Sequence, residues 1–322
     1  MSTVIAVRRL AVAFSGLSAL LLTSACSPPW SKEEDSIQVE VKGKFGENPK
    51  IEIKKGGNPP KTAKVTTVIK GAGRKITRDD YVRIDYSAKS FPDNKVLGST
   101  WQLNGSGKSR RSSQLSGSLN RLGPLPTKVV EALKSGNVGD RIVVNGPPSD
   151  LSVAPSPASP SASHHAWVVD IVDAIPVDKK KMATGKRLKT QDGMPQVVDS
   201  EKKPPVIKIP DDIEPPTNTR QQLLIQGNGR TVKPGDALIL NFAGAMWQKG
   251  QTQTFSSWAQ GDPVTFQTGT NAGRDWDALL AGKKIGDRVE VVLPVKNSPT
   301  NKKAEKSEKA AQVYVIDIIG VI

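Results

Sequence analysis

Few side chains in this chain are equipped for covalent chemistry. It has two histidines, His164 and His165, and a single cysteine, Cys26. The histidines sit side by side in a Pro/Ser/Ala tract, which argues against a Ser-His-Asp triad and against a His-ligated metal centre. A lone cysteine makes neither an internal disulfide nor a Cys-based zinc site. The paired carboxylates Asp79-Asp80 and Asp211-Asp212 read as surface turns rather than an acid/base pair. Gly71-Ala72-Gly73 and Gly227-Asn228-Gly229 resemble phosphate loops, but no Gly-Lys-Ser/Thr follows and neither opens a helix, so both read as turns. No metal and no cofactor is expected. What remains is recognition by aromatic side chains, and these are scarce: 6 Trp, 3 Tyr and 6 Phe in 322 residues.

The first residues point to a compartment. Arg8 and Arg9 precede an apolar stretch from Leu10 to Leu22, too short and too rich in small residues for a good membrane span. It ends in Leu22-Thr23-Ser24-Ala25-Cys26, which resembles a bacterial lipobox with Thr23 where an aliphatic residue is commoner. The expectation is a signal peptide over 1–25, acylation at Cys26, and a polar tether over 26–38. An ordinary secretory leader is the alternative. With 46 Lys+Arg against 31 Asp+Glu the formal charge is +15. This leaves nucleic acid, anionic membrane or acidic partners open. The excess is spread along the whole chain, and no aromatics interleave with Arg110-Arg111 or Lys179–Lys181. These runs therefore read as solvated loop charge, and no nucleic acid is expected.

Behind the leader the chain repeats itself. Gly71-Ala72-Gly73-Arg74 recurs as Gly227-Asn228-Gly229-Arg230, Asp80 as Asp236, Tyr86 as Phe242, and Trp101 as Trp258. Further on, Glu131-Ala132-Leu133 recurs as Asp277-Ala278-Leu279, and Gly139-Asp140-Arg141 as Gly286-Asp287-Arg288. Trp167–Ile171 recurs as Tyr314–Ile318. A register that shifts only in loops is that of a duplicated unit. Each copy reads as short alternating strands, one short helix (127–133 and 274–281), a Gly-Asp-Arg turn and two further apolar strands. That pattern is α+β. Residues 39–177 form the first unit, 178–202 a basic linker, and 203–322 the second. The Pro/Ser/Ala tract 147–165 and the Lys/Glu-rich stretch 297–311 read as polar loops.

Both copies resemble the FKBP-type peptidyl-prolyl isomerase domain, in the tandem lipoprotein form of actinobacteria. The second carries the fuller pattern: Gly235-Asp236, Asn241-Phe242-Ala243-Gly244, Phe255-Ser256-Ser257-Trp258, Pro263-Val264-Thr265-Phe266, Trp276, Gly286-Asp287-Arg288 and a strand from Tyr314. The resemblance implies a curved antiparallel sheet wrapped on one short helix, with an aromatic cleft for Xaa-Pro bonds. It places Phe242, Phe255, Ser256, Trp276 and Tyr314 in a catalytic set. Val264 and Phe266, with Tyr86 and Trp167 in the first copy, fall at substrate-binding positions. Phe242 and Ser256 depart from the family, which has a tyrosine and an aspartate there. In the first copy Leu97-Gly98-Ser99-Thr100 replaces the Phe-Asp pattern and Val130 stands at the floor tryptophan. Beside this stands the plainer reading of all these aromatics as core.

The expected activity is isomerisation of Xaa-Pro bonds in unfolded or secreted polypeptides, outside the cytoplasm and held to the membrane by the lipid anchor. Macrolide inhibitor binding is a property of the family, and the departures at 242 and 256 count against it. The alternatives are a catalytically degenerate chaperone or partner-binding lipoprotein, and a polyanion-binding surface protein.

Overall fold

The structure, a computed structural model, describes residues 39–53, 60–104, 106–151, 164–200, 203–210, 212–247, 254–270, 274–295 and 310–322. The leader, Cys26 and the tether lie outside the described residues, as do most of both polar loops. Strand dominates. The first half runs β1 (Val39–Lys42), β2 (Lys50–Ile53), β3 (Lys64–Ile69), β4 (Asp80–Phe91), β5 (Val96–Ser99), β6 (Trp101–Leu103) and β7 (Ser109–Arg111). It continues through β8 (Leu115–Ser118), α1 (Thr127–Lys134), β9 (Arg141–Gly146), α2 (Pro148–Leu151) and β10 (His164–Pro176). The second half opens with β11 (Gly185–Arg187), β12 (Gln196–Ser200), β13 (Lys203–Lys208), β14 (Arg220–Gly227) and β15 (Ala237–Trp247). There follow β16 (Thr254–Ser256), α3 (Ser257–Gln260), β17 (Val264–Gln267), α4 (Arg274–Leu280), β18 (Arg288–Pro294) and β19 (Ala311–Val321).

The repeat seen in the residues is also a repeat of topology. One sheet has the order β3-β9-β10-β4-β5, with β8 also on β4. The other has β14-β18-β19-β15-β16, with β17 also on β15 and β11 added at the β14 edge. All the named pairings are antiparallel. Even the bulges agree, at Thr67/Ile69 in one and Leu223/Ile225 in the other. Helix α1 lays Val129, Ala132 and Leu133 on its sheet and leaves Lys128 and Glu131 outward.

The stretch read as a linker is different from that expectation. β11 pairs with β14, and β12 pairs with β13 to form a hairpin. Neither strand shows alternation of its own; both are strands because a neighbouring strand supplies their hydrogen bonds. The hairpin and the turn before it put Ile207 and Met194 on the second sheet, in one cluster with Ala245, Trp247, Val292 and Val313. The β1–β2 hairpin covers the first sheet in the same way, Ile51 lying with Phe91, Val143 and Val168. Lys179, in the run read as solvated, forms an ion pair with Asp262 at 3.1 Å. Arg111 pairs with Asp85 at 2.8 Å and lies over the Trp101 ring. The two histidines, placed by sequence in the loop tract, belong to β10, and His165 is buried.

The repeated motifs lock strand ends together. Gly71 donates its N–H to Asp140 Oδ1 (2.7 Å) and Gly227 donates to Asp287 Oδ1 (2.6 Å). Each Gly-x-Gly therefore docks on its own copy's Gly-Asp-Arg turn, as a turn and not as a phosphate loop. A Cβ on Gly227 would stand 2.5 Å from the Gly286 carbonyl carbon and 2.6 Å from the Ile285 oxygen, both backbone. Gly227→Ala is therefore expected to destabilise by about 1–3 kcal/mol or more, since backbone cannot move aside as a side chain can. Urea unfolding measures this, and an unchanged midpoint would contradict the docking. The motif arginines close the turn: Arg74 meets the fully buried Asp80 at 2.7 Å and Arg230 meets Asp236 at 2.7 Å. Asp80 is thus no surface carboxylate, contrary to the sequence reading.

One buried charge breaks the symmetry. Glu290 stands where the first copy has Val143; it is fully buried and takes a hydrogen bond from the Gln222 amide. Burial pushes its carboxyl up to about 7, against the lesser pull of Gln222 and Arg220. The folded protein therefore holds this proton more tightly than the unfolded chain does. Stability falls as pH rises from about 4.5 to about 7 and stays lower above that. Glu290→Gln should flatten this slope and stabilise by on the order of 2–3 kcal/mol at alkaline pH. Urea melts on both sides of the transition test it; parallel pH profiles for the two proteins would refute it.

Candidate functional site

The second sheet and α4 enclose a cleft of about 270 Å³. Its walls follow from strand alternation. On β15 Leu240 and Phe242 face inward, on β19 Tyr314 and Ile316, and on β17 Val264 and Phe266 with Thr265 at the rim. Helix α4 contributes Trp276 and Leu280, four residues apart and so on one face. Trp276 stands edge-on to Tyr314, with ring centroids 5.2 Å apart and planes at 85°. Phe242 lies 6.3 Å from Tyr314. Phe255 is not a wall residue. It sits 38% exposed at the lip, T-shaped to both Tyr314 (5.8 Å) and Phe242 (6.1 Å). Its ring lies against Gly244, where a Cβ would come within 2.4 Å of it.

The cleft offers few polar groups. Thr265 Oγ1 is turned away to the Ser116 carbonyl at 2.7 Å. Tyr314 donates its hydroxyl to Gln312 Oε1 at 3.1 Å, and burial raises its pKa above the usual tyrosine value. The phenol therefore stays protonated and able to donate at neutral pH. No carboxylate lines the cleft among the described residues. The side chains that line it are aliphatic and aromatic apart from the hydroxyls of Thr265 and Tyr314. The cleft can exclude water and grip a flat apolar ring, and Tyr314 can donate to a ligand's carbonyl only by giving up Gln312.

Five of the residues singled out from sequence (Phe242, Val264, Phe266, Trp276 and Tyr314) thus meet around one cavity, and Phe255 borders it. Ser256 has another task. It caps α3, its side chain accepting from the Ala259 N–H at 3.0 Å. The serine that serves the site is its neighbour: Ser257 Oγ receives the Phe242 N–H at 2.9 Å and donates to Asn241 Oδ1 at 2.8 Å. The first copy holds Thr100 in the same place, accepting from the Tyr86 N–H at 3.0 Å, so the repeated hydroxyl was a signal for this positioning role. Leu240, Leu280 and Ile316 were missed because aliphatic residues on a strand or helix look alike from either face.

In the first copy Tyr86 and Trp167 stack at 5.8 Å. They belong to that copy's core, where Trp167 is 6% exposed among Leu119, Leu122, Val129 and Leu151. Register puts Leu115 and Gly117 of β8 where β17 has Val264 and Phe266, and Val130 holds the place of Trp276. The aromatic walls are therefore a property of the second copy.

The first copy braces one of those walls. Tyr81 donates its hydroxyl to Asp262 Oδ1 (2.7 Å), Ser118 donates to Asp262 Oδ2 (2.7 Å), and the Gln114 N–H donates to Gln267 Oε1 (2.7 Å). Asp262 and Gln267 bracket β17. Burial works to raise the Asp262 pKa, but hydrogen bonds from Ser118 and Tyr81 and the ammonium of Lys179 hold it below the usual carboxylate value.

No protein-family model and no curated protein matches the chain. Among solved structures it is similar to FkpA from Escherichia coli, 25% identical over 35% of this chain and 48% of that one, with a TM-score of 0.27. The chain thus spans about half the length of FkpA. It is also similar to the three FKBP domains of wheat FKBP73, 13% identical over 81% of this chain and 94% of that one, again with a TM-score of 0.27.

Proposed function

We propose that the chain is an FKBP-like peptidyl-prolyl cis-trans isomerase, built from two such units and active in the second. The observation that carries this reading is the aromatic cleft of Phe242, Val264, Phe266, Trp276 and Tyr314, enclosing about 270 Å³ with almost no polar lining. Rotation about a peptide bond costs roughly 18–20 kcal/mol because the twisted amide loses conjugation. A dry cleft that fits the twisted prolyl ring better than the planar one lowers that barrier, at about 1.36 kcal/mol for each tenfold in rate. The Tyr314 hydroxyl is the polar side-chain group on the β19 wall, and on releasing Gln312, to which it now donates, it would hold the carbonyl of the residue preceding proline. The test is a prolyl-isomerisation assay on the intact chain. A rate above the uncatalysed one is expected, and no acceleration would sink the enzyme reading.

A second reading, a binder of proline-containing segments without catalysis, draws on one observation: Ser256, at the family's aspartate position, is engaged in capping α3. It predicts that the chain slows aggregation of a refolding client while leaving isomerisation at the uncatalysed rate. The leader and Cys26 support placement outside the cytoplasm, tethered by acyl chains at about 0.8 kcal/mol per buried CH₂. Cys26→Ala is expected to release the protein from membranes on fractionation. Retention of that variant would refute lipidation at this residue.

A further inference from the structure

The two sheets differ at one edge. In the second, β14 is covered by β11, with Gly185 opposite Gly227 and Arg187 opposite Ile225, and the Leu188 N–H continues the ladder to the Leu224 carbonyl at 2.9 Å. In the first, β3 is the terminal strand and pairs with β9 alone among the described residues. The counterparts also differ in burial: Leu224, packed with Met194 and Ile207, is 7% exposed, whereas Val68 on β3 is 42% exposed, with Val65 beside it at 48%. Yet β3 is a strand of high intrinsic tendency: Val65-Thr66-Thr67-Val68-Ile69 is five β-branched residues in succession. An open row of backbone donors and acceptors on such a strand is a template for another chain.

The surroundings describe what would fit. Between β3 and α1 lies a cavity of about 300 Å³, lined by Val65, Thr67, Ala132 and Ile142 and, on the helix side, by Lys128, Glu131 and Ser135. Lys64 and Lys70 stand at the two ends of β3, and the acid that lines the cavity, Glu131, is already paired with Lys128 at 3.2 Å. A second copy of β3 is a poor occupant: antiparallel self-pairing would set the lysine at one end against the lysine at the other, like charge opposite like.

We propose that the β3 edge is a binding site for an extended segment of a partner polypeptide, added antiparallel as β11 is on β14. The partner's apolar side chains at alternate positions would enter the cavity, and acidic residues at its ends would meet Lys64 and Lys70. This site is separate from the cleft and does not depend on the isomerase reading.

Hydrogen exchange on the intact chain with a proline-free peptide, Glu-Glu-Val-Thr-Val-Thr-Val-Glu-Glu, tests it. Exchange at amides within Val65–Gly71 should slow on the order of tenfold when the peptide is bound. A Val65→Lys, Val68→Lys double variant, changed only at exposed positions, should keep its melting temperature and bind on the order of tenfold more weakly. A peptide with lysines in place of the glutamates should bind more weakly by a similar factor. No protection at β3 with the acidic peptide would overturn the proposal, as would equal affinity for both peptides. Protection of the same amides without peptide would also overturn it, as a self-pair if the chain sediments as a dimer and as coverage by its own residues if it is a monomer.

Discussion

Arg288→Ala is expected to destabilise the protein by about 3–5 kcal/mol, the cost of breaking a buried ion pair by removing one partner. Arg288 is 1% exposed and Asp317 is fully buried. The guanidinium fork meets the carboxylate with both arms, Nε to Oδ1 at 2.6 Å and Nη2 to Oδ2 at 2.7 Å. Truncation leaves a carboxylate in the interior with little beyond the Ala183 N–H, 2.7 Å from Oδ2, to satisfy it. Arg288→Lys keeps the charge and loses the fork, so it should recover only part of the loss. An Arg288→Met, Asp317→Leu double variant should recover more, because removing both charges removes the stranded one. Urea unfolding reads all three. A loss below about 1 kcal/mol for Arg288→Ala would contradict the assignment, since that is the range of an exposed pair. The first copy offers a second trial of the same logic. There Arg141 meets Asp170 at 2.6 Å and also holds the Gly43, Lys44 and Glu47 carbonyls, tying down the β1–β2 hairpin.

Trp276→Ala is expected to take away most of the catalysed rate, on the order of tenfold to a hundredfold, corresponding to about 1.4–2.7 kcal/mol of lost transition-state stabilisation. The indole stands at 85° to Tyr314 and is the largest side chain on the helix side of the cleft. Removing it opens the cavity to water and takes away the surface opposite Phe242. Truncating a large aromatic can also destabilise by about 3–5 kcal/mol, so Trp276→Phe is the partner experiment. It keeps an aromatic face and should keep most of the rate. If both variants fold and both match the wild-type rate, the cleft is not where isomerisation occurs. Tyr86→Phe, packed on the core of the first copy, should leave the rate unchanged.

Much of this architecture was legible in the residues, for a physical reason. A duplicated unit keeps the side chains that lock its strands. Gly71 with Asp140, Arg74 with Asp80, and Arg141 with Asp170 each recur in the second copy because each pair closes the same gap between strands. The strands β11 and β12 were hidden because their conformation is imposed by β14 and β13 rather than encoded in a periodic pattern. Asp80 was misread because two adjacent aspartates look alike until one knows which faces Arg74. The same ambiguity set Ser256 in the site in place of Ser257: one residue of register decides which hydroxyl reaches Phe242 and which caps α3. The cleft's aromatics were visible through the resemblance, whereas its aliphatic walls needed the pairing of β15 with β17 and β19.

The measurement that bears most directly on the central claim is exchange NMR of a short Xaa-Pro peptide, in the presence of a small fraction of the intact chain. Uncatalysed interconversion takes tens of seconds or longer, so the cis and trans resonances are separate and unlinked on the exchange timescale. Cross-peaks between them that grow with protein concentration and vanish with Trp276→Ala are the predicted result. Peptide-induced shifts at Trp276 and Tyr314 with no cross-peaks would contradict catalysis and leave the cleft as a site that binds prolyl segments without turning them.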